Sequence, residues 1–347
     1  MMRVLLTGNQ GYIGPVVARR LVEAGHDVTG LDAGLFVADA LEASMVLPTI
    51  RRDIRDIRPA DLEGFDAVVH LANISNDPLG FLDPSLTFAV NVEATVGLAK
   101  AAAHAGVARF INSSSCSAYG SAVEDWVDEE TTPRPVTPYG ESKVLAEEGL
   151  SQLADEKFCV VSFRNATAFG YSPNLRTDLV VNDLTAGAYL RGEIKLNSDG
   201  TAWRPLVHVH DIAEAFALAL EAPADLVNGE VVNIGAEDQN YRILEIVTEV
   251  AQSVPNASLT FADGAGADKR SYRVRFDKVK RLLPDFQCAY DVRRGIDDLV
   301  ANFDRLGLRS LDWQGVRLAR LEQLIAAGQL DATLRFTDAT SAPVGVA

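Results

Sequence analysis

Two short stretches carry side chains whose types and spacing could move a proton. In "PYGESK", Tyr139 and Lys143 lie four residues apart and share a face if the segment is helical. A phenol acting as a base must come down from about 10 toward neutrality, which costs about 4 kcal/mol. One ammonium at about 4 Å supplies roughly that much at an effective dielectric of about 20. In "SSSCSAYG", residues 113–120, three consecutive hydroxyls end an apolar run and enter a turn. Hydroxyls there are awkward in a core and useful in a site. The adjoining Cys116 and Ser117 decide which chemistry stays open.

The elements that must hold these groups follow from hydrophobic periodicity. "RVLLTG", "GPVVARRLVEAG", "DVTGLD", "AVVHLA", an Ala-rich helix ending near "AAAHAG" and "ARFINSSS" alternate strand with helix. Near-continuous apolar strands fit a sheet covered on both faces. Past residue 170 the pattern loosens, with "EIKL", "PLVHV", a helix at "DIAEAFALALE" and "GEVVNIG". The fold class expected is α/β, a Rossmann-type doubly wound parallel sheet with a smaller mixed C-terminal substrate lobe. The sheet domain is expected over 1–170 and 207–236 and the lobe over 171–206 and 237–330. Residues 331–347, small and polar, read as a flexible tail.

The first strand-helix junction, "TGNQGYIG", places Gly8, Gly11 and Gly14 with Gln10, Tyr12 and Ile13 between them. Glycines here let backbone amides approach a pyrophosphate at a helix N-terminus, and Pro15 suits the first helical turn. Asp32, ending the next strand, can accept from ribose hydroxyls and repel a 2′-phosphate, so NAD is expected rather than NADP. Asp53 and Ile54 could cap an adenine edge, with Asp56 as competitor. Leu71, Ala72 and Asn73 end the fourth strand against the same path. An oxidised nicotinamide would add to the effect of Lys143 on Tyr139.

Bulk composition narrows the classes further. The chain has 347 residues and a net charge of −16, which disfavours a nucleic-acid surface. An anionic ligand must therefore meet local basic groups inside a pocket. No apolar run approaches the ~20 residues of a bilayer span, and "MMRVLLTG" lacks signal-peptide architecture, so a cytoplasmic, non-membrane protein is expected. The three cysteines have no metal-like spacing, and His208 and His210 have no carboxylate or cysteine cluster beside them; no metal site is expected.

Together, "TGNQGYIG", Asp32, "SSSCSAYG", "PYGESK" and "WRPLVHVHD" resemble the extended short-chain dehydrogenase/reductase superfamily. The resemblance is to its NAD-dependent nucleotide-sugar epimerase/dehydratase family, from residue 2 to about residue 310. It implies that Ser115, Tyr139 and Lys143 are catalytic, with Ser115 holding the sugar oxygen beside the phenol and Tyr139 and Lys143 also touching NAD. It implies a structural Asn91. In the family's 4,6-dehydratases, Asp and Glu follow the catalytic hydroxyl; here Cys116 and Ser117 stand there, which argues against elimination or decarboxylation.

For the substrate, the resemblance points to Arg204 and Arg270 on a nucleoside diphosphate, with Arg273 competing for the second place. Thr167 stands where many relatives carry asparagine, and Asn182 is within the helix that could reach the diphosphate. Trp203 could stack on a base or simply pack. A homodimer through the helices carrying Asn91 and Tyr139 is also implied. The expected activity is C4 epimerisation by transient oxidation. The alternatives are a 4-ketosugar reductase and a non-catalytic NAD-sensing protein.

Overall fold

Apolar strands alternating with helices close into a seven-stranded sheet in the computed structural model, which describes residues 1–75, 77–266, 271–311 and 316–337. The chain opens with β1 (Arg3–Thr7), α1 (Gly14–Glu23), β2 (Asp27–Asp32), β3 (Thr49–Arg51) and β4 (Ala67–His70). Next come α2 (Asp77–Leu82), α3 (Pro84–Phe88), a π-helical stretch over Ala89–Ala94, α4 (Thr95–His104) and β5 (Arg109–Ser115). β6 (Trp126–Val127), α5 (Pro138–Ser151), β7 (Cys159–Asn165) and β8 (Thr167–Phe169) follow. α6 (Val180–Arg191), β9 (Glu193–Ser198), β10 (Trp203–His208), α7 (Val209–Glu221) and α8 (Ala224–Val227) lead to β11 (Glu230–Ile234). The last elements are β12 (Asn240–Arg242), α9 (Ile243–Ser253), β13 (Ser258–Gly266), β14 (Arg273–Val274), α10 (Asp277–Leu282), α11 (Val292–Arg305) and α12 (Arg317–Ala326).

The main sheet runs β11-β7-β5-β4-β1-β2-β3, and all neighbours pair in parallel. Strand order reverses between β1 and β4. In open α/β sheets, ligands bind beyond the carboxyl ends of strands at such a switch point. Successive residues alternate faces: Val4, Leu6, Val69, Ile111 and Val161 pack into one core with α1 and α7. Leu5, Val68, Phe110 and Val160 pack into the other with α4. Both faces are buried, which is why the strands read as continuous apolar runs.

Three smaller sheets, β12-β10-β8, β13-β9 and β14-β6, accompany the main one among the described residues. No described helix is long and apolar enough to cross a membrane.

The chain end departs from expectation. The polar composition from 331 predicts a frayed tail, yet residues 331–337 fold back. Leu334 is buried, Leu330 bridges Phe336, and Arg335 donates to Asp56 at 3.0 Å. The cause lies upstream: Leu321 and Leu324 of α12 cluster with Ile74, Leu86, Leu330 and Leu334, so the return turn has an apolar floor. Residues 338–347 lie outside the described residues.

Candidate active site

At the carboxyl ends of β1, β2, β4, β5 and β7 lies a cleft of about 710 Å3. Its first wall is the turn after β1. Gly8 takes φ +71°, a left-handed conformation, and a Cβ there would sit 2.8 Å from the Ala72 backbone nitrogen. A Cβ on Gly14 would lie 2.2 Å from the Gly8 carbonyl oxygen, so this turn closes only with glycine. α1 then starts with neither a side-chain cap nor an acidic residue in its first turn. Its positive end is left for an anion, and Gly11, Tyr12, Ile13 and Gly14 line the cleft beside it.

Asp32 lines the same cleft and accepts from the backbone N–H of Gln10 at 3.0 Å and of Gly34 at 2.7 Å. Burial raises its pKa; the two backbone bonds and Arg51 oppose that. Asp53, Ile54, Leu71, Ala72 and Asn73 continue the lining. Asp53 caps a short turn by accepting from Arg55 N–H at 2.8 Å. A glycine cradle under an uncapped helix end, beside a buried carboxylate, fits a dinucleotide with free ribose hydroxyls.

The second wall carries the proton chemistry. Thr137 caps α5, accepting from Gly140 N–H at 3.1 Å, and Pro138 opens its first turn, so Tyr139 and Lys143 both face the cleft. The Ser115 and Tyr139 hydroxyls are hydrogen-bonded to each other, and Ser115 also donates to Ser117 Oγ at 3.0 Å and accepts from Ser117 N–H at 3.1 Å. Lys143 is 3% exposed and donates to the Ser113 carbonyl at 2.7 Å.

The electrostatics differ from the simple expectation. Burial pushes Tyr139 up to about 12, opposed first by the Ser115 hydrogen bond. Burial likewise pulls Lys143 down to about 7, with Glu147 opposing. Desolvation outweighs the Ser115 hydrogen bond and the Arg176 charge that favour the phenolate, so a further positive charge beside the phenol would make it more acidic.

A buried polar network surrounds this pair, with Arg164 Nη1 and Asn165 Oδ1 left without hydrogen-bond partners. Glu147 accepts from Arg164 at 2.7 Å and from the Ser114 hydroxyl, and Asn165 donates to Ser113 Oγ at 3.0 Å. Asn91, in the π-helical stretch, accepts from Ile74 N–H at 2.8 Å. It donates to the Ile74 carbonyl at 2.9 Å and to Ser142 Oγ at 3.0 Å. Ser142 Oγ donates back to the Tyr139 carbonyl at 2.7 Å, tying the loop after β4 to α5.

Cys116 is turned away. Its thiol is 2% exposed, donates to the Arg164 carbonyl at 3.3 Å, and has its pKa pushed up by burial. A thiol so held is neither an acid nor a base for a sugar. Ser117 does reach the cleft, but as a hydroxyl bonded to Ser115 at 3.0 Å.

Thr167 and Arg204 also line the cleft. Asn182 does not. It accepts from Gly170 N–H at 2.9 Å and donates to Tyr12 Oη at 3.1 Å and to the Arg176 carbonyl at 2.9 Å. Its amide is used up inside the fold, which corrects its reading as a substrate contact. Gln10 likewise stays out of the cleft, lending its N–H to Asp32 and its carbonyl to Asn174. Arg270 lies outside the described residues. Arg273 pairs with Asp125 and stacks over Trp126 and Trp203, away from the lining.

Sequence reading missed two buried arginines. Arg176 lines the cleft, pairs with Asp178 at 2.8 Å, and is among the charges felt by Tyr139. Arg317, from α12, lines it as well. The only available signal was the acidic balance of the chain, which requires cations wherever an anion binds.

Residues 4–235 match the NAD dependent epimerase/dehydratase family, and the chain belongs to it. It is therefore an NAD-dependent enzyme of the sugar-nucleotide epimerase and dehydratase class. It is 28% identical to UDP-glucose 4-epimerase of Lactobacillus helveticus over 81% of this chain and 91% of that one. It is also 28% identical to UDP-glucose 4-epimerase of Corynebacterium glutamicum, over 89% and 98%. Among solved structures, MoeE5 in complex with UDP-glucuronic acid and NAD superposes with a TM-score of 0.77. That match has 28% identity and covers 87% of this chain and 99% of that one.

Proposed function

We propose that this enzyme epimerises a nucleoside-diphosphate sugar at C4. The observation that carries the reading is the convergence of Ser115, Tyr139 and Lys143 on one cleft in which the position of an eliminating acid is filled by a sealed thiol. NAD, when bound, supplies the hydride acceptor that takes and returns the C4 hydrogen, and its positive ring adds the charge that the phenol lacks.

The protein's own groups do the rest. Tyr139 accepts the proton of the C4 hydroxyl while Ser115 holds that oxygen by hydrogen bonding. The same phenol returns the proton once the ketosugar has presented its other face. Lys143, anchored on the Ser113 carbonyl, holds its ammonium near the phenol ring, 5.7 Å from its centre. Arg204 and Arg176 provide cations for the diphosphate. A homodimer through α5 and the helices around Asn91 accompanies this reading, supported by the exposure of Leu145 on α5.

Incubation of purified enzyme with UDP-glucose, UDP-glucuronate and GDP- or dTDP-sugars, followed by NMR, tests the proposal. The expected result is inversion at C4 with no net consumption of NADH. Stoichiometric NADH consumption with a 4-ketosugar would identify a reductase and overturn it.

A further inference from the structure

Arg317 opens α12, some 300 residues after the glycine turn, yet it faces the same cleft and is 2% exposed. Its guanidinium lies 4.2 Å over the Phe36 ring. Nη2 donates to the Asn174 carbonyl at 3.1 Å and to Asn174 Oδ1 at 2.9 Å. Asn174 in turn donates to the Gln10 carbonyl at 2.6 Å and the Phe36 carbonyl at 3.0 Å. Arg317 is thus fastened both to the glycine turn and to the loop after Asp32.

Its other nitrogen is different. Nη1 is buried with no hydrogen-bond partner, and the nearest carboxylate, Asp39, is 3.7 Å away. Asp39 is itself engaged by Arg320 at 3.1 Å. A buried guanidinium N–H without an acceptor is costly, and Arg176 adds like-charge repulsion that Asp39, Asp178 and Asp32 oppose. An anion entering the cleft would offset both costs.

The chain beyond α12 closes the same half. Leu334 lines the cleft, and Arg335 reaches Asp56, three residues after Asp53. Residues 317–337 therefore run from the glycine turn to the residues beside the expected adenine edge.

We propose that Arg317 is a cofactor-binding residue supplied by the chain end, that its Nη1 meets the pyrophosphate of NAD, and that residues 317–337 form a strap over the adenosine half. The inference rests on the NAD reading of the cleft. It goes beyond that reading by assigning a phosphate contact, and a hold on the bound cofactor, to a segment outside the seven-stranded sheet. A nucleotide sugar also carries a diphosphate, so the test separates the two anions.

Wild type, Arg317→Met, Arg317→Lys and Leu334→Ala are purified and their retained NAD is quantified after denaturation. Release is timed by chasing the holoenzyme with excess isotopically labelled NAD. ADP and adenosine are compared as competitors of that exchange, and UDP binding to the NAD-loaded protein is measured by calorimetry. Arg317→Met is expected to speed release at least 10-fold and to weaken ADP by a similar factor. Adenosine and UDP should bind as in wild type, and Arg317→Lys should recover part of the loss. Leu334→Ala should weaken ADP and adenosine together.

Unchanged NAD release in both Arg317→Met and Leu334→Ala would overturn the assignment. So would equal loss of ADP and adenosine in Arg317→Met, which indicates mere structure, or loss confined to UDP, which indicates a substrate contact. Should wild type retain and exchange no NAD, the cofactor reading itself has failed, separately from the strap.

Discussion

Tyr139 and Lys143 are each shifted by burial in the direction that removes their charge, one up to about 12 and the other down to about 7. Near pH 7 the phenol is protonated while the amine is only partly charged, so in the proposed reaction the cation that arrives with the cofactor adds the charge the lysine supplies only in part. Tyr139→Phe keeps the ring and its packing while removing the proton acceptor. Its turnover should fall by a factor on the order of a hundred to ten thousand with retained NAD unchanged, as read by coupled assay and cofactor release. Unchanged turnover would leave only a non-catalytic role.

The lysine makes a separate pH prediction. Its ordinary value, 10.5, falls to about 7 on folding, so protonation is easier in the unfolded chain. The penalty is absent above about pH 10.5, grows as pH falls, and is complete below about 7. In cofactor-stripped protein, wild type should therefore gain stability relative to Lys143→Met between pH 7 and 10. The gain over that window is about 3.5 kcal/mol, and the curve flattens below about pH 7. Denaturant unfolding across that range checks the sign; a gap independent of pH would mean Lys143 is not desolvated.

The helices and strands that hold these groups were largely legible, and the reasons are local. Continuous apolar runs marked β1, β4 and β5, Gly8 and Pro15 marked the entry to α1, and the four-residue spacing of Tyr139 and Lys143 fitted the helix α5. What a polar side chain faces is not local. Asn182 sits at a position open to substrate by sequence, but tertiary bonds to Gly170, Tyr12 and Arg176 consume it. The fold of residues 331–337 was invisible because their apolar floor comes from Ile74 and Leu86, far away in sequence.

The π-helical stretch shows how such long-range bonding positions the site. Asn91 satisfies both backbone groups of Ile74 and holds Ser142, which bonds the Tyr139 carbonyl. Asn91→Ala leaves buried polar groups without partners, at about 1–3 kcal/mol each before water enters. Unfolding should shift to lower denaturant with an unchanged slope, and kcat should fall more than KM rises because α5 loses its anchor. Wild-type stability in this variant would show the network to be dispensable.

Across the whole molecule, the net charge of −16 opposes the approach of any sugar nucleotide. The cleft does not reverse this at a distance. Its lining carries Arg55, Lys143, Arg176, Lys195, Arg204 and Arg317 against Asp32, Asp53, Asp77, Asp178 and Asp183, nearly balanced. Cations there act at hydrogen-bond range, inside walls that salt screens poorly, whereas the repulsion outside reaches only about 10 Å at 0.1 M salt and about 30 Å at 0.01 M. Capture is therefore unsteered or mildly repelled, and affinity is set after entry. Raising sodium chloride from about 10 to 150 mM should leave kcat/KM for an anionic sugar nucleotide unchanged or raise it a few-fold. A steep fall in that series would mean the buried arginines project a positive field beyond the mouth, and the balance inferred from the lining would be wrong.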